Sequence, residues 1–373
     1  MEMSDLDSPK GHGMSVLPPD ESRGVTRRAR IIHYCPWAAE LQLVSAFLAA
    51  QSESGLRARL AKPDDSALLA MARLDRDWHV ENARVFAGMQ HPEIAFGDAW
   101  VVGAVGLQGL TQVAPPAGEE WWVVLMAQHP QHFAAVAGPL LALLRKRGLR
   151  ICYYAYDEAS RMMPCFREIA PHLDILIHDE APLAPAGAAA LSPTCQVVHR
   201  SWVANIIPFS TAFAEAPEER IVFLGSKMGV TPHRQRQIDF LRKRFRDRFV
   251  AIHDHSLQVS ERHLLAQRFK ASVCPEGRKF GGSTMQSTHT DRPFWSGCLG
   301  LVPVSENSAA GCRLDQLRRD QLIVDYRHGD LEQLQAACER GLAMTRPERY
   351  RIYEYFNRHE TVGTVVANAI AAA

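Results

Sequence analysis

RIVFLGSKMGVTPHRQRQIDFLRKRFRDR, residues 220–248, reads as a strand, a glycine-containing loop and a helix in one continuous unit. Ile221 to Leu224 form an apolar run that stops at Gly225 and Ser226, and Thr231 with Pro232 supply an N-cap and a first helical residue. Ile238, Phe240, Leu241 and Phe245 then fall on one helical face. A buried strand that leads into an amphipathic helix is the first half of a βαβ unit, and such units build parallel sheets. Downstream, FVAIHD, FKASVCPE, CLGLVPVSE and QLIVDY read as further strands. Helices are predicted at about 261–268 and 330–344, and the stretch from Pro347 to Ala373 reads as helix with a break near Gly363.

The same alternation occurs upstream. RIIHYC precedes AAELQLVSAFLAA, WWVVLMA precedes HFAAVAGPLLALLRKRG, and LRICYYAY and CFREIAPHL lead to DILIHDE and then CQVVHRSW. The predicted fold class is therefore α/β, with two tandem Rossmann-like domains facing a central cleft. Residues 1–28 lack aromatic residues and read as a disordered tail. The expected divisions are a first Rossmann-like domain at 29–200, a linker at 201–219, a second domain at 220–345 and a C-terminal helix at 346–373.

Composition sets the class of partner. With 42 Lys and Arg against 41 Asp and Glu, the net charge of +1 gives no global attraction to nucleic acid or an anionic membrane. The eight cysteines include no CxxC pair, which favours a reducing compartment. No apolar run is long enough to span a bilayer, and no secretory leader is visible, so the expected location is cytoplasmic, at most peripheral at the inner membrane face.

In open parallel sheets, ligands bind beyond the carboxyl ends of the strands, so residues at those ends are the candidates for chemistry. Gly225, Ser226 and Lys227 in the loop after Leu224, with Arg234 and Arg236 on the helix that follows, suit a diphosphate, although the loop is neither a Walker A loop nor a GxGxxG loop. A capped turn before a helix is the alternative. The seven basic residues between Arg234 and Arg248 read as the solvated face of that helix rather than a nucleic-acid surface. In KASVCPEGRKFGGSTMQSTHTDRPFWSGCLGLVPVSEN, Glu276 and Asp291 can accept hydrogen bonds from ribose hydroxyls, while Lys279 and Arg292 can neutralise a diphosphate leaving group. In the first domain, Asp157 and Glu158 follow an apolar strand, as expected of a general base, and His33 follows another. His253, Asp254 and His255, like Asp75 and Asp77, do not form a convincing metal site, so no metal or other cofactor is expected.

Tandem Rossmann-like units, the GLVPV strand followed by DQLIVDY and DLEQLQAACERGLA, and a terminal helix able to cross back to the first domain resemble a GT-B glycosyltransferase. Within that class, KASVCPEG followed by TDRPFW is similar to the K-F-x-x-x-F-E-N and T-E-K-F-W motifs of inverting α1,3-fucosyltransferases. The likeness places Glu276 on the motif glutamate, Thr290 and Asp291 on the Thr-Glu pair, Arg292 on the lysine, and Arg236 or Arg234 on the arginine of a helix start. Asp157 or Glu158 falls near that family's strand-end glutamate. The departures are Pro275 and Gly277 in place of Phe and Asn, and Pro293 inserted before Phe294 and Trp295. The two glutamates of retaining GT-B enzymes would fall on Ser287 and Trp295, so the resemblance implies inversion. It further implies a metal-independent transfer from a nucleoside diphosphate sugar, with a GDP-sugar favoured, to a hydroxyl of a carbohydrate or lipid-linked glycan. The alternatives are a non-catalytic nucleotide-sugar binding protein and a sugar-nucleotide epimerase of the same architecture.

Overall fold

The computed structural model describes residues 27–34, 86, 89–126, 138–155, 169–178, 194–199, 213–225, 232–252, 265–275, 292–306 and 313–373. Two parallel sheets organise them. The first contains β1 (Arg27–Tyr34), β2 (Ile94–Phe96), β3 (Trp100–Val102), β4 (Glu119–Met126), β5 (Arg150–Ala155), β6 (Ile175–His178) and β7 (Gln196–His199). Its order is β2-β1-β4-β5-β6-β7, and β3 also pairs with β1, beyond β2. The second contains β8 (Glu218–Leu224), β9 (Phe249–Ile252), β10 (Phe269–Cys274), β11 (Val302–Glu306) and β12 (Val324–Tyr326), ordered β12-β11-β10-β8-β9. The chain changes direction across each sheet at one place, between β1 and β4 in the first and between β8 and β10 in the second. Neighbouring loops part at such a switch point and leave a crevice at the carboxyl edge.

These strands form because both of their faces are buried. Ile221, Val222 and Phe223 in β8 and every residue from Trp121 to Met126 in β4 are withdrawn from solvent, which explains the near-continuous apolar runs. The helices on the second sheet include α3 (Pro232–Phe245), α4 (Arg292–Cys298) and α6 (Leu331–Ala343). They follow α1 (Ala104–Gly109) and α2 (Gly138–Lys146) of the first half, and α5 (Arg313–Arg319) lies between α4 and α6. Ile238, Leu241 and Phe245 of α3 and Leu334, Cys338 and Leu342 of α6 share one apolar core with β8, β10 and β11. Asp330 caps α6 by accepting the Gln333 N–H at 3.0 Å.

The end of the chain ties the two halves together. Helix α7 (Arg346–His359) packs on α4, with the rings of Phe294 and Phe356 6.1 Å apart and Asn357 donating to the Cys298 carbonyl at 2.9 Å. The chain then breaks at Glu360 and Thr361, slightly before the expected Gly363, and α8 (Val362–Ala372) begins with Thr361 accepting the Thr364 N–H. Val362, Val366 and Ile370 enter the core of the first sheet beside Ala29, Ile31 and Trp122. Arg27 fixes that helix from the sheet side: its Nη1 donates to the carbonyls of Ile370 and Ala371, while its Nε and Nη2 hold Glu120 at 2.9 and 2.8 Å. A guanidinium on the last carbonyls also complements the negative end of the helix dipole. The predicted crossing helix is thus present as α8.

Two expectations need correction. The short strands β2 and β3 had no counterpart in the sequence reading. His33, read as following a strand, is the penultimate residue of β1.

Candidate functional site

The switch point of the second sheet is built from the end of β8. The Gly225 N–H donates to the Ile252 carbonyl at 3.2 Å, which carries the strand pairing one residue past Leu224. Arg292, the first residue of α4, donates from Nε to the Leu224 carbonyl at 3.1 Å and places its guanidinium 5.7 Å from the centre of the Phe223 ring. Glycine is needed here for space: a Cβ on Gly225 would lie 2.7 Å from Phe223 Cζ and 3.3 Å from Arg292 Nη2. Arg292 Nη1 is buried and has no hydrogen-bond partner among the described residues, and no described carboxylate pairs with the side chain. A guanidinium held by a strand-end carbonyl, with a buried N–H still to satisfy, is a donor prepared for an anionic oxygen.

Farther along the same carboxyl edge, the structure gathers residues that the sequence reading did not single out. Glu306 ends β11, and its side chain is fully buried. Its Oε1 accepts hydrogen bonds from Gln237 Nε2 at 2.9 Å and from the Gly329 N–H at 3.1 Å. Gly329 has φ +76, a conformation strained for other residues, at the turn that presents this N–H. The ring nitrogens His233 Nε2 and His328 Nδ1 lie 2.7 and 3.0 Å from the same oxygen, and the two rings stack with centroids 4.2 Å apart. Tyr326 donates to Gln237 Oε1 at 2.7 Å, so a buried chain runs from Tyr326 through Gln237 to Glu306. A signal for Glu306 was present, because an acid closes the apolar run LGLVPVS at the edge where ligands bind.

The other expected residues divide by location. Arg234 is buried on the first turn of α3, while Arg236 is exposed. His33 is completely buried, its ring centre 5.3 Å from that of Phe86, and burial pushes its pKa down to about 3, so it stays neutral near pH 7. It belongs to the core and does not face a cleft. Trp295 is a core residue of α4. Asp157, Glu158, Ser226, Lys227, Glu276, Lys279, Thr290 and Asp291 lie outside the described residues, as do Ser287, Asp75, Asp77, His253, Asp254 and His255.

No protein-family model matches the chain, and no curated protein does. Among solved structures, a Thermobaculum terrenum O-GlcNAc transferase mutant is 10% identical, with a TM-score of 0.47 over 93% of this chain and 67% of its own. A UDP-forming α,α-trehalose-phosphate synthase from Burkholderia xenovorans, in complex with glucose-6-phosphate, is 10% identical, with a TM-score of 0.42 over 92% of this chain and 99% of its own. A lipopolysaccharide outer core galactosyltransferase in its apo form gives 10% and 0.41 over the same shares of the two chains. Similarity at these levels carries no inference about chemistry, which must come from the residues of this chain.

Proposed function

We propose that the protein is a glycosyltransferase that moves a sugar from a nucleoside diphosphate sugar to a hydroxyl acceptor, with inversion and without a metal at the leaving group. The observation that supports this most is Arg292, held on the last carbonyl of β8 at the switch point with Nη1 buried and unsatisfied. An arginine in that place can stabilise charge on a departing diphosphate, the task a divalent ion performs in other transferases. Lys279, Lys227 and Arg236 would add positive charge, Glu276 and Asp291 would orient ribose or the transferred sugar, and Thr290 and Ser226 would add hydroxyl donors. Asp157 or Glu158, beyond the end of β5, would take the proton of the acceptor hydroxyl as it attacks the anomeric carbon. His33 has no part in this chemistry.

The test is turnover of UDP-, GDP-, CDP- and dTDP-sugars with a mixed panel of glycan acceptors in the presence of EDTA, with NMR of the product. The expected result is transfer that survives chelation and gives an anomeric configuration opposite to that of the donor. Release of an epimerised donor without acceptor, or binding without turnover, would replace the proposal with the epimerase or the binding protein.

A further inference from the structure

Four hydrogen-bonding groups converge on Glu306 Oε1, and the protons available do not satisfy them. Gln237 Nε2 and the Gly329 N–H already donate to that oxygen, which has two lone pairs. Two imidazole nitrogens nevertheless approach it as well, while Glu306 Oε2 is buried without a hydrogen-bond partner among the described residues. His233 Nε2 is also 2.7 Å from Gln237 Nε2. If His233 Nε2 carries a proton, it faces the Gln237 donor; if it does not, its lone pair faces the carboxylate. A cation resolves this conflict, because it accepts a lone pair from each imidazole and one from the carboxylate, whose Oε2 has none committed among the described residues.

We propose that His233, Glu306 and His328 bind a divalent transition-metal ion, zinc being the best fit, and that the ion ties the start of α3 and the loop after β12 to the end of β11. The three ligand atoms lie within 4.8 Å of one another. Two imidazoles and one carboxylate form a donor set suited to zinc, with a fourth position for water. The surroundings match those of a metal carboxylate: Tyr326 holds Gln237, and Gln237 holds Glu306, which fixes the acid from behind. His328 is 67% exposed on the solvent side, where its ring can turn out of the stack to aim its lone pair at an entering ion. The ion clamps the edge of the second sheet and takes no part at the diphosphate, so this inference stands independently of the proposed transfer.

The test uses the full chain, demetallated by dialysis against chelator and titrated with Zn²⁺ by calorimetry and with Co²⁺ by visible absorption. Wild type takes up one tight equivalent that raises the melting temperature, and Co²⁺ develops the d–d bands of a four-coordinate site. Gln237→Leu, which alters only the outer shell, weakens Zn²⁺ by roughly 10–100-fold. His328→Ala, at an exposed loop position where folding is undisturbed, weakens it further and abolishes the Co²⁺ bands. No uptake by wild type, or uptake with the same affinity and spectrum in His328→Ala, overturns the inference.

Discussion

The two sheets share a strand order and differ in what stands at their switch points. In the first, β1 ends in His33 and Tyr34, paired in register with Val124 and Leu125 of β4, and all four side chains are buried. Burial keeps the His33 ring neutral there. In the second, β8 ends against Arg292 with Gly225 leaving room for it, and farther across the sheet β11 and β12 end in Glu306 and Tyr326, which Gln237 joins in one polar chain. Topology alone therefore marks two possible ligand sites, and among the described residues the strand ends of the second carry a group ready for an anion. If the first half contributes chemistry, Asp157 and Glu158, which follow β5 in the chain, are the residues to test.

The largest expected effect comes from those two positions. Removing the right carboxylate, by Asp157→Asn or Glu158→Gln, should lower kcat about 10² to 10⁴-fold while donor affinity stays nearly constant. Only one of the two variants should show it, and equal mild effects in steady-state assays would leave the first half without a base. On the second side, Gly225→Ala forces Phe223 or Arg292 to move, which should cost about 1–3 kcal/mol in denaturant unfolding and weaken nucleotide binding in parallel.

A pH measurement probes the first sheet. Burial pushes the His33 pKa down to about 3 against 6.5 for a solvent-exposed ring, so between those values the unfolded chain binds a proton that the native chain does not. Its contribution is fully present above pH 6.5 and is lost as pH falls toward 3. Each pH unit in that window should remove about 1.4 kcal/mol, or roughly 2 kcal/mol between pH 6.5 and 5. His33→Phe should flatten that part of the stability profile in denaturant titrations, and an unchanged slope would contradict the buried assignment. The smallest effect concerns the crossing helix. Arg27→Met removes the guanidinium from the carbonyls of Ile370 and Ala371, and about 0.3–1 kcal/mol should be lost, visible as faster amide exchange confined to α8.

Most of the framework could be read from sequence because doubly buried parallel strands announce themselves as apolar runs such as RICYYA and RIVFL. β2 and β3, three residues each, could not, since they owe their existence to pairing with β1 across a long sequence separation. His33 shows how much a small error matters at a strand end: placed just beyond β1 it would face a cleft, and inside β1 it faces the core. Gly225 was legible because it follows a strand end in the chain itself, and Arg292 through the motif likeness of TDRPFW, although its contact with Leu224 spans 68 residues. The cluster around Glu306 was not, because His233 and Glu306 are 73 residues apart and meet only when β8, β10 and β11 take their places side by side.

Nothing matters more to the proposed transfer than the hold of Arg292 on a nucleoside diphosphate at the second switch point. Isothermal titration of UDP, GDP, CDP and dTDP into wild type and Arg292→Ala tests it directly. At least one of the four should bind wild type, and losing a charge-assisted phosphate contact of about 1.5–3 kcal/mol should weaken that ligand by roughly 10- to 150-fold in the folded variant. Equal affinity in the two proteins, or no binding of any of the four to wild type, would contradict it.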